Sequence, residues 1–199
     1  MRMEELSEQG YLEIIAGPMF SGKTSKLIEI YKQCSFCDIP VAVINYIGDV
    51  RYHESMLSSH DKTMIPCIQS QTLSDVWCLD KTQGYNKKQI KCFNAKVILI
   101  NEGQFFPDLY KVVNSMINEK KHVYVAGLDG DFQRQKFGQI LDLIPLCDSF
   151  IKLHSLCNLC KNGCKAIFSL RLTSELSQTI IGSDNYIPVC RKCYVAKNE

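Results

Sequence analysis

The chain has 199 residues, 46% of them hydrophobic and 22% charged, with a formal net charge of +2 at pH 7. That length and balance suffice for a sizeable core, read most simply as one α/β domain with a smaller appendage, and they exclude an intrinsically disordered chain. Scattered lysines make no strong field for nucleic acid or an anionic membrane, no apolar run is long enough to span a bilayer, and the opening MRMEELSEQG lacks a signal-peptide pattern. The expectation is a cytoplasmic protein with neither membrane nor nucleic acid as partner. Eleven cysteines in such a chain are then reduced thiols or metal ligands.

In chain order, Tyr11 to Ala16 reads as a buried strand and Thr24 to Cys34 as a helix, and between them lies GPMFSGKT, Gly17 to Thr24. This is the G-x-x-x-x-G-K-[ST] phosphate loop in the strand-to-helix setting its mechanism requires. Gly17 and Gly22 let the backbone curl, so that the loop of Pro18, Met19, Phe20 and Ser21 brings its N–H groups, from Met19 onward, and the helix N-terminus together on phosphate oxygens. Lys23 adds positive charge at the β- and γ-phosphates, and the Thr24 hydroxyl is placed to ligate Mg2+. The CSFC pair, Cys34 to Cys37, reads as a helix end with two half-buried thiols.

Val41 to Tyr46, Lys96 to Ile100 and His122 to Ala126 read as further buried strands, while Leu73 to Leu79 and Leu109 to Asn118 have amphipathic helical spacing, the second started by Pro107 and Asp108. Lys81 to Lys91 is the most basic stretch and reads as a solvated loop. Strands alternating with helices predict a parallel sheet with helices on its faces, and ligands beyond the carboxyl ends of the strands. Gly17, Asp49, Glu102 and Asp129 all follow such ends. The pattern changes near Pro145 and Cys147 to paired cysteines and short strand-like runs, Ala166 to Leu172 and Gln178 to Ile181. The division is placed at 1–146 for the nucleotide-binding domain and 147–199 for a small second lobe.

That lobe carries CNLC, Cys157 to Cys160, and CRKC, Cys190 to Cys193. Two C-x-x-C pairs suit one tetrahedral four-thiolate site, and structural Zn2+ would supply folding free energy that so small a core lacks. Ligand softness alone leaves iron open. Cys164 is expected to be a free thiol. In the main domain, Glu102 directly follows an apolar strand, where it could act as general base toward a substrate hydroxyl, and Asn101 precedes it.

At this point the chain resembles the type II thymidine kinases, the cytosolic, bacterial and poxvirus-like group. The resemblance is carried by GPMFSGKT, by GDVRY (Gly48 to Tyr52) with the following His60 and Asp61, by EGQFFPD (Glu102 to Asp108), by GLDGDFQRQKFG (Gly127 to Gly138) and by both cysteine pairs. It implies a RecA-like P-loop sheet flanked by helices, with a C-terminal zinc lobe and a lasso loop that closes over the nucleoside. It also implies transfer of the γ-phosphoryl of ATP to the 5′-hydroxyl of thymidine or deoxyuridine, with Glu102 as the base and with Asp49, Arg51, Asn101 and Gln104 joining the phosphate loop around ATP and Mg2+. Met19, Phe105, Leu128 and Phe132 would wall the thymine pocket. Main-chain groups of Gln178, Thr179, Ile180, Ile181 and Gly182 would read the base, and Tyr186 would meet the sugar. Feedback inhibition by dTTP and a homotetramer follow from the same resemblance. One position departs from the family pattern: Asn101 stands where the group has Asp, which predicts a weaker hold on Mg2+ and a higher Mg2+ requirement. Two rival readings are a nucleic-acid-binding ATPase with a zinc ribbon, which lacks a basic surface in this sequence, and an inactive P-loop paralogue, which rests on Asn101 alone.

Overall fold

A computed structural model describes residues 9–48, 56–59, 61–79, 85–175, 177–178 and 185–198 of the chain. Its centre is a six-stranded, wholly parallel sheet in the order β5-β2-β6-β7-β1-β8. The chain enters through β1 (Tyr11–Ala16), passes along α1 (Lys23–Phe36), and crosses to β2 (Val41–Tyr46). An antiparallel hairpin, β3 (Met56–Ser58) and β4 (Met64–Pro66), precedes β5 (Ile68–Ser70) at the sheet edge. After α2 (Lys87–Asn94), β6 (Val97–Ile100), α3 (Leu109–Asn118) and β7 (His122–Gly127) fill the gap between β2 and β1.

The continuous apolar runs of β6 and β7 follow from burial on both faces, the pattern expected for interior parallel strands. On one face α3 sets Leu109, Val112, Val113 and Met116, at helical spacing, against Leu12, Ile14, Ile44, Ile98, Ile100, Val123 and Val125. On the other, α1 sets Leu27, Ile28, Ile30 and Cys34 against Ile15, Val43, Val97, Leu99 and Ala126. The carboxyl ends of β1, β2, β6 and β7 consequently open side by side, which is where a doubly covered parallel sheet places its ligands.

Beyond residue 146, β8 (Ser149–Lys152) still belongs to the main sheet, pairing with β1. The cysteine lobe follows, built from the short pairs β9 (Ser155–Leu156) with β10 (Lys165–Ala166) and β11 (Phe168–Arg171) with β12 (Tyr186–Val189), and closed by α4 (Arg191–Asn198). Its core is small: Ala166, Leu170, Val189 and Tyr194 with Cys157 and Cys190. No helix among the described residues is long and apolar enough to cross a membrane.

Three local expectations change. Residues Leu73–Asp75 form only a 3-10 turn, because Asp108 draws the chain in: its carboxylate accepts from Leu73 N at 3.0 Å, Ser74 N at 2.8 Å and Ser74 Oγ at 2.6 Å. Asp108 spends its oxygens there and makes no side-chain cap on α3. The basic stretch is half helix, since Asn86 and Gln89 form a reciprocal capping box at 2.9 and 3.0 Å that starts α2; residues 81–84 lie outside the described residues. At the end of α1, Cys34 is fully buried and Cys37 exposed, so the CSFC thiols do not share one environment. Asp108→Ala removes three acceptor contacts and should cost about 1–3 kcal/mol in urea unfolding, with α3 helicity retained by circular dichroism.

Candidate active site

The phosphate loop is shaped by its glycines. At Gly17, φ is 153° and a Cβ would meet Leu153 O at 2.6 Å and Ser21 Oγ at 2.9 Å, so any side chain there would open the loop. Gly22 adopts the left-handed conformation at φ 84° and N-caps α1, whose first turn closes through Lys26 N to Gly22 O at 2.9 Å. Lys23 Nζ donates to Pro18 O at 2.7 Å, folding the cation over the loop. Met19 N donates to Ser169 Oγ of β11 at 3.0 Å, which ties this loop to the cysteine lobe. Phe20, in the same loop, is a left-handed, exposed residue at φ 61°.

Beside the loop, Thr24 Oγ1 donates to Asn101 Oδ1 at 3.3 Å, and Asn101 Nδ2 donates to Asn45 Oδ1 at 2.8 Å. Both asparagines are 2% exposed. Asn45 is the polar interruption of VAVINY, a signal that the sequence offered at the carboxyl end of β2.

Glu102 follows β6 in a left-handed conformation, φ 55° and ψ 41°, which is uncommon for a residue with a side chain and concentrates at functional sites. Gln104 is buried and uses both ends of its amide: Nε2 donates to Glu102 Oε2 at 2.6 Å, and Oε1 accepts from Leu128 N at 3.0 Å. The carboxylate after β6 is thereby linked to the loop after β7. Phe105 stacks on Tyr46 at 5.0 Å between ring centroids and meets Phe137 edge-on at 5.4 Å.

The loop after β7 places Phe132 beneath a buried arginine that motif reading did not select. The Arg171 guanidinium lies 3.6 Å from the Phe132 ring centroid. Its Nε and Nη2 donate to Tyr186 Oη, Nη1 donates to Glu175 O at 2.8 Å and to Ser177 O, and Nη2 donates to Gln178 O at 3.0 Å. Gln178 Nε2 reaches Asp131 Oδ2 at 2.8 Å, while Asp131 Oδ1 accepts from Gln133 N and Gln135 N, both at 2.9 Å. Tyr194 Oη donates to Phe132 O at 2.6 Å. The structure thus brings Phe132, Gln178 and Tyr186 together, and Met19 and Leu128 reach the same site through Ser169 and Gln104. Asp49, Arg51, His60, Thr179, Ile180, Ile181 and Gly182 lie outside the described residues.

The sulfurs of Cys157, Cys160, Cys190 and Cys193 all lie within 4.8 Å of one another. Burial works against ionising Cys157, but the N–H groups of Cys160, Cys190 and Leu159 outweigh it and bring the thiol down to about 6. The N–H of Cys193 likewise holds Cys190 low, whereas the neighbouring thiols of Cys193 and Cys190 push Cys160 up. Backbone amides aimed at sulfur stabilise thiolates, the form that binds metal. Cys164 is exposed and is not a member of this cluster.

A Cβ at Gly127 would lie 2.4 Å from Gln104 Oε1 and 2.2 Å from Ile140 Cδ1. Gly127→Ala should therefore dislodge Gln104 from Leu128, costing about 1–3 kcal/mol and speeding hydrogen exchange at the Leu128 amide, read by NMR.

Residues 10–194 match the family model described as thymidine kinase. The chain is 41% identical over 187 residues to the thymidine kinase of variola virus (isolate Human/India/Ind3/1967), covering 94% of this chain and 97% of the relative. To the thymidine kinase of Yaba monkey tumor virus (strain VR587) it is 40% identical over 193 residues, covering 96% and 98%. To the cytosolic thymidine kinase of Gallus gallus it is 36% identical over 190 residues, covering 95% of this chain and 79% of the relative. With a phosphate loop, an acid after β6 and a four-cysteine lobe in the same chain, these matches establish that the protein belongs to the thymidine kinase family.

Proposed function

We propose that this protein transfers the γ-phosphoryl group of ATP to the 5′-hydroxyl of thymidine, and of deoxyuridine, giving dTMP or dUMP for nucleotide salvage. The observation that carries this reading is the Gln104 bridge. It ties the Glu102 carboxylate after β6 to the loop after β7 that bears Leu128 and Phe132. In that position Glu102 accepts the proton of the 5′-hydroxyl, provided the oxygen lies within hydrogen-bond reach. The hydroxyl oxygen attacks the γ-phosphorus, the bond to the β,γ-bridging oxygen breaks, and ADP leaves. Little covalent work falls to the protein, so catalysis is positioning and charge stabilisation by the loop amides and Lys23.

Thr24 Oγ1 and Asn101 Oδ1 form a pair of oxygen donors beside the loop, the hard-ligand chemistry that Mg2+ takes, and these residues would hold the ion with the nucleotide. When bound, Mg2+ neutralises charge on the β- and γ-phosphates. Four sulfurs within 4.8 Å fit a closed tetrahedral Zn2+ site with no open coordination position, which suits a structural role. Asp49 and Arg51 at the phosphates, and the main chain of 179–182 at the thymine, complete the reading by family resemblance. The same resemblance supports dTTP as a feedback inhibitor and a homotetrameric assembly. Free cysteines throughout agree with a cytoplasmic setting. An apolar thymine slot discriminates a methyl group only about 10 to 200-fold, so deoxyuridine remains a substrate, while deoxycytidine presents the wrong donor pattern to main-chain partners.

Glu102→Gln should lower kcat for thymidine by at least about 100-fold while ATP binding persists by equilibrium dialysis; full turnover in the variant would remove Glu102 as the base. Stripping zinc with a thiol-compatible chelator should release about one equivalent per chain and unfold the cysteine lobe, seen as loss of protection at Val189 and Tyr194 in hydrogen exchange. Thymidine affinity should fall with it, since Tyr194 and Arg171 of that lobe hold Phe132 and Tyr186.

A further inference from the structure

An amide beside a cation site has a wrong way round. Turned by 180° about its last torsion, Asn101 would offer its NH2 group to Thr24 and to any metal there, and a carboxylate has no such failure. The polarity of Asn101 is set from a distance. Asn45 O and Tyr46 O are main-chain acceptors at the end of β2, and their character cannot change. Gln69, on the neighbouring strand β5, satisfies both when its Nε2 donates to them at 3.2 Å each, and its Oε1 then accepts from Asn45 Nδ2 at 3.2 Å. That leaves Asn45 Oδ1 as the acceptor for Asn101 Nδ2 at 2.8 Å, and it turns Asn101 Oδ1 to the Thr24 hydroxyl at 3.3 Å. Reversing Gln69 or Asn45 puts donor against donor and oxygen against oxygen, and reversing Asn101 sets its Oδ1 against Asn45 Oδ1; Asn45 and Asn101 are buried too deeply for water to repair either fault.

We infer that Asn45 and Gln69 are positioning residues for the divalent cation that accompanies the nucleotide. Through this relay they make Asn101 present its carbonyl oxygen, and never its NH2, to the cation site at Thr24. The neutral side chain at position 101 is thereby a competent oxygen donor in this protein. The relay also has a cost: a carboxylate at 101 would face Asn45 Oδ1, so Asn101→Asp cannot be accommodated without reversing Asn45 and breaking its bond to Gln69. The inference rests on the kinase reading for a metal-bound nucleotide, but not on thymidine being the acceptor.

The test titrates Mg2+ into the full-length, zinc-loaded protein with a fluorescent ADP analogue and compares Asn45→Leu with Asn45→Asp. Leucine removes the acceptor that orients Asn101, whereas aspartate keeps an acceptor toward Asn101 Nδ2 and places its fault at the far junction, where an oxygen replaces the donor toward Gln69 Oε1. Asn45→Leu should raise the Mg2+ concentration for half-maximal tightening of nucleotide binding about tenfold. Asn45→Asp should stay at or below the wild-type concentration, although both variants melt earlier than wild type. The proposal is overturned if the two variants shift together, or if Asn45→Leu does not shift. Should Asn45→Leu fail to fold, Gln69→Leu breaks the relay one junction further out and should shift in the same direction; no shift there also overturns it. Thymidine turnover by wild type is measured in parallel, and its absence would remove the kinase reading while the cation result stands or falls separately.

Discussion

Burial of the parallel sheet on both faces is the constraint from which the rest of the molecule follows. With α1 on one side and α3 on the other, β6 and β7 have no polar face, so their polar chemistry is confined to the residues immediately past their ends. Asn101 and Glu102 after β6, Leu128 to Phe132 after β7, and the phosphate loop after β1 therefore gather along one edge. Strand order decides which of them are neighbours: β7 separates β6 from β1, so the acid after β6 and the loop after β1 face each other across the β7 loop. Gln104 joins the acid to the β7 loop with a single amide, and Gly127 gives it room.

The cysteine lobe has too small a core to be an independent unit, yet it holds both halves of the site. Ser169 takes Met19 N of the phosphate loop, Tyr194 takes Phe132 O, and Arg171 stacks on Phe132 while holding Tyr186 and the carbonyls of 175, 177 and 178. All five guanidinium N–H groups are engaged. Tyr186 Oη accepts from the arginine, so its own proton is left to donate elsewhere. The lobe that carries the four clustered sulfurs thus reaches Phe132 and Tyr186 through a short chain of side chains, so a metal bound there would bear on those two residues without any part in the chemistry.

Along the edge between β2 and β5, amides do the work of charges. A buried carboxylate would need a compensating cation or donors, and its desolvation is expensive. The run from Gln69 through Asn45 to Asn101 avoids that cost, but it functions only if every amide points the same way. Main-chain carbonyls at its far end impose the direction. Neutral networks of this kind are specific because each member has one satisfying orientation.

Much of this was legible along the chain. β1, β2 and α3 have the bounds that their apolar patterns predicted, since two-sided burial and a 109/112/113/116 stripe leave a direct imprint on residue order. The phosphate loop and the paired cysteines were equally plain, because their chemistry depends on local spacing. The Leu73 segment and the 81–91 stretch read wrongly for the opposite reason: Asp108, remote in sequence, and a capping box decide them. Asn45, Arg171, Asp131, Ser169 and Tyr194 carried no motif, and a lone polar residue in an apolar strand says nothing of its partner. Sequence by itself determined β1, β2 and α3, the phosphate loop, the paired cysteines and the acid after β6, because each is encoded by neighbours a few residues apart. Only the tertiary structure decided which amide faces which, and which lobe holds which loop, because those contacts join residues 24, 56, 62 and 150 positions apart, whose meeting depends on strand order.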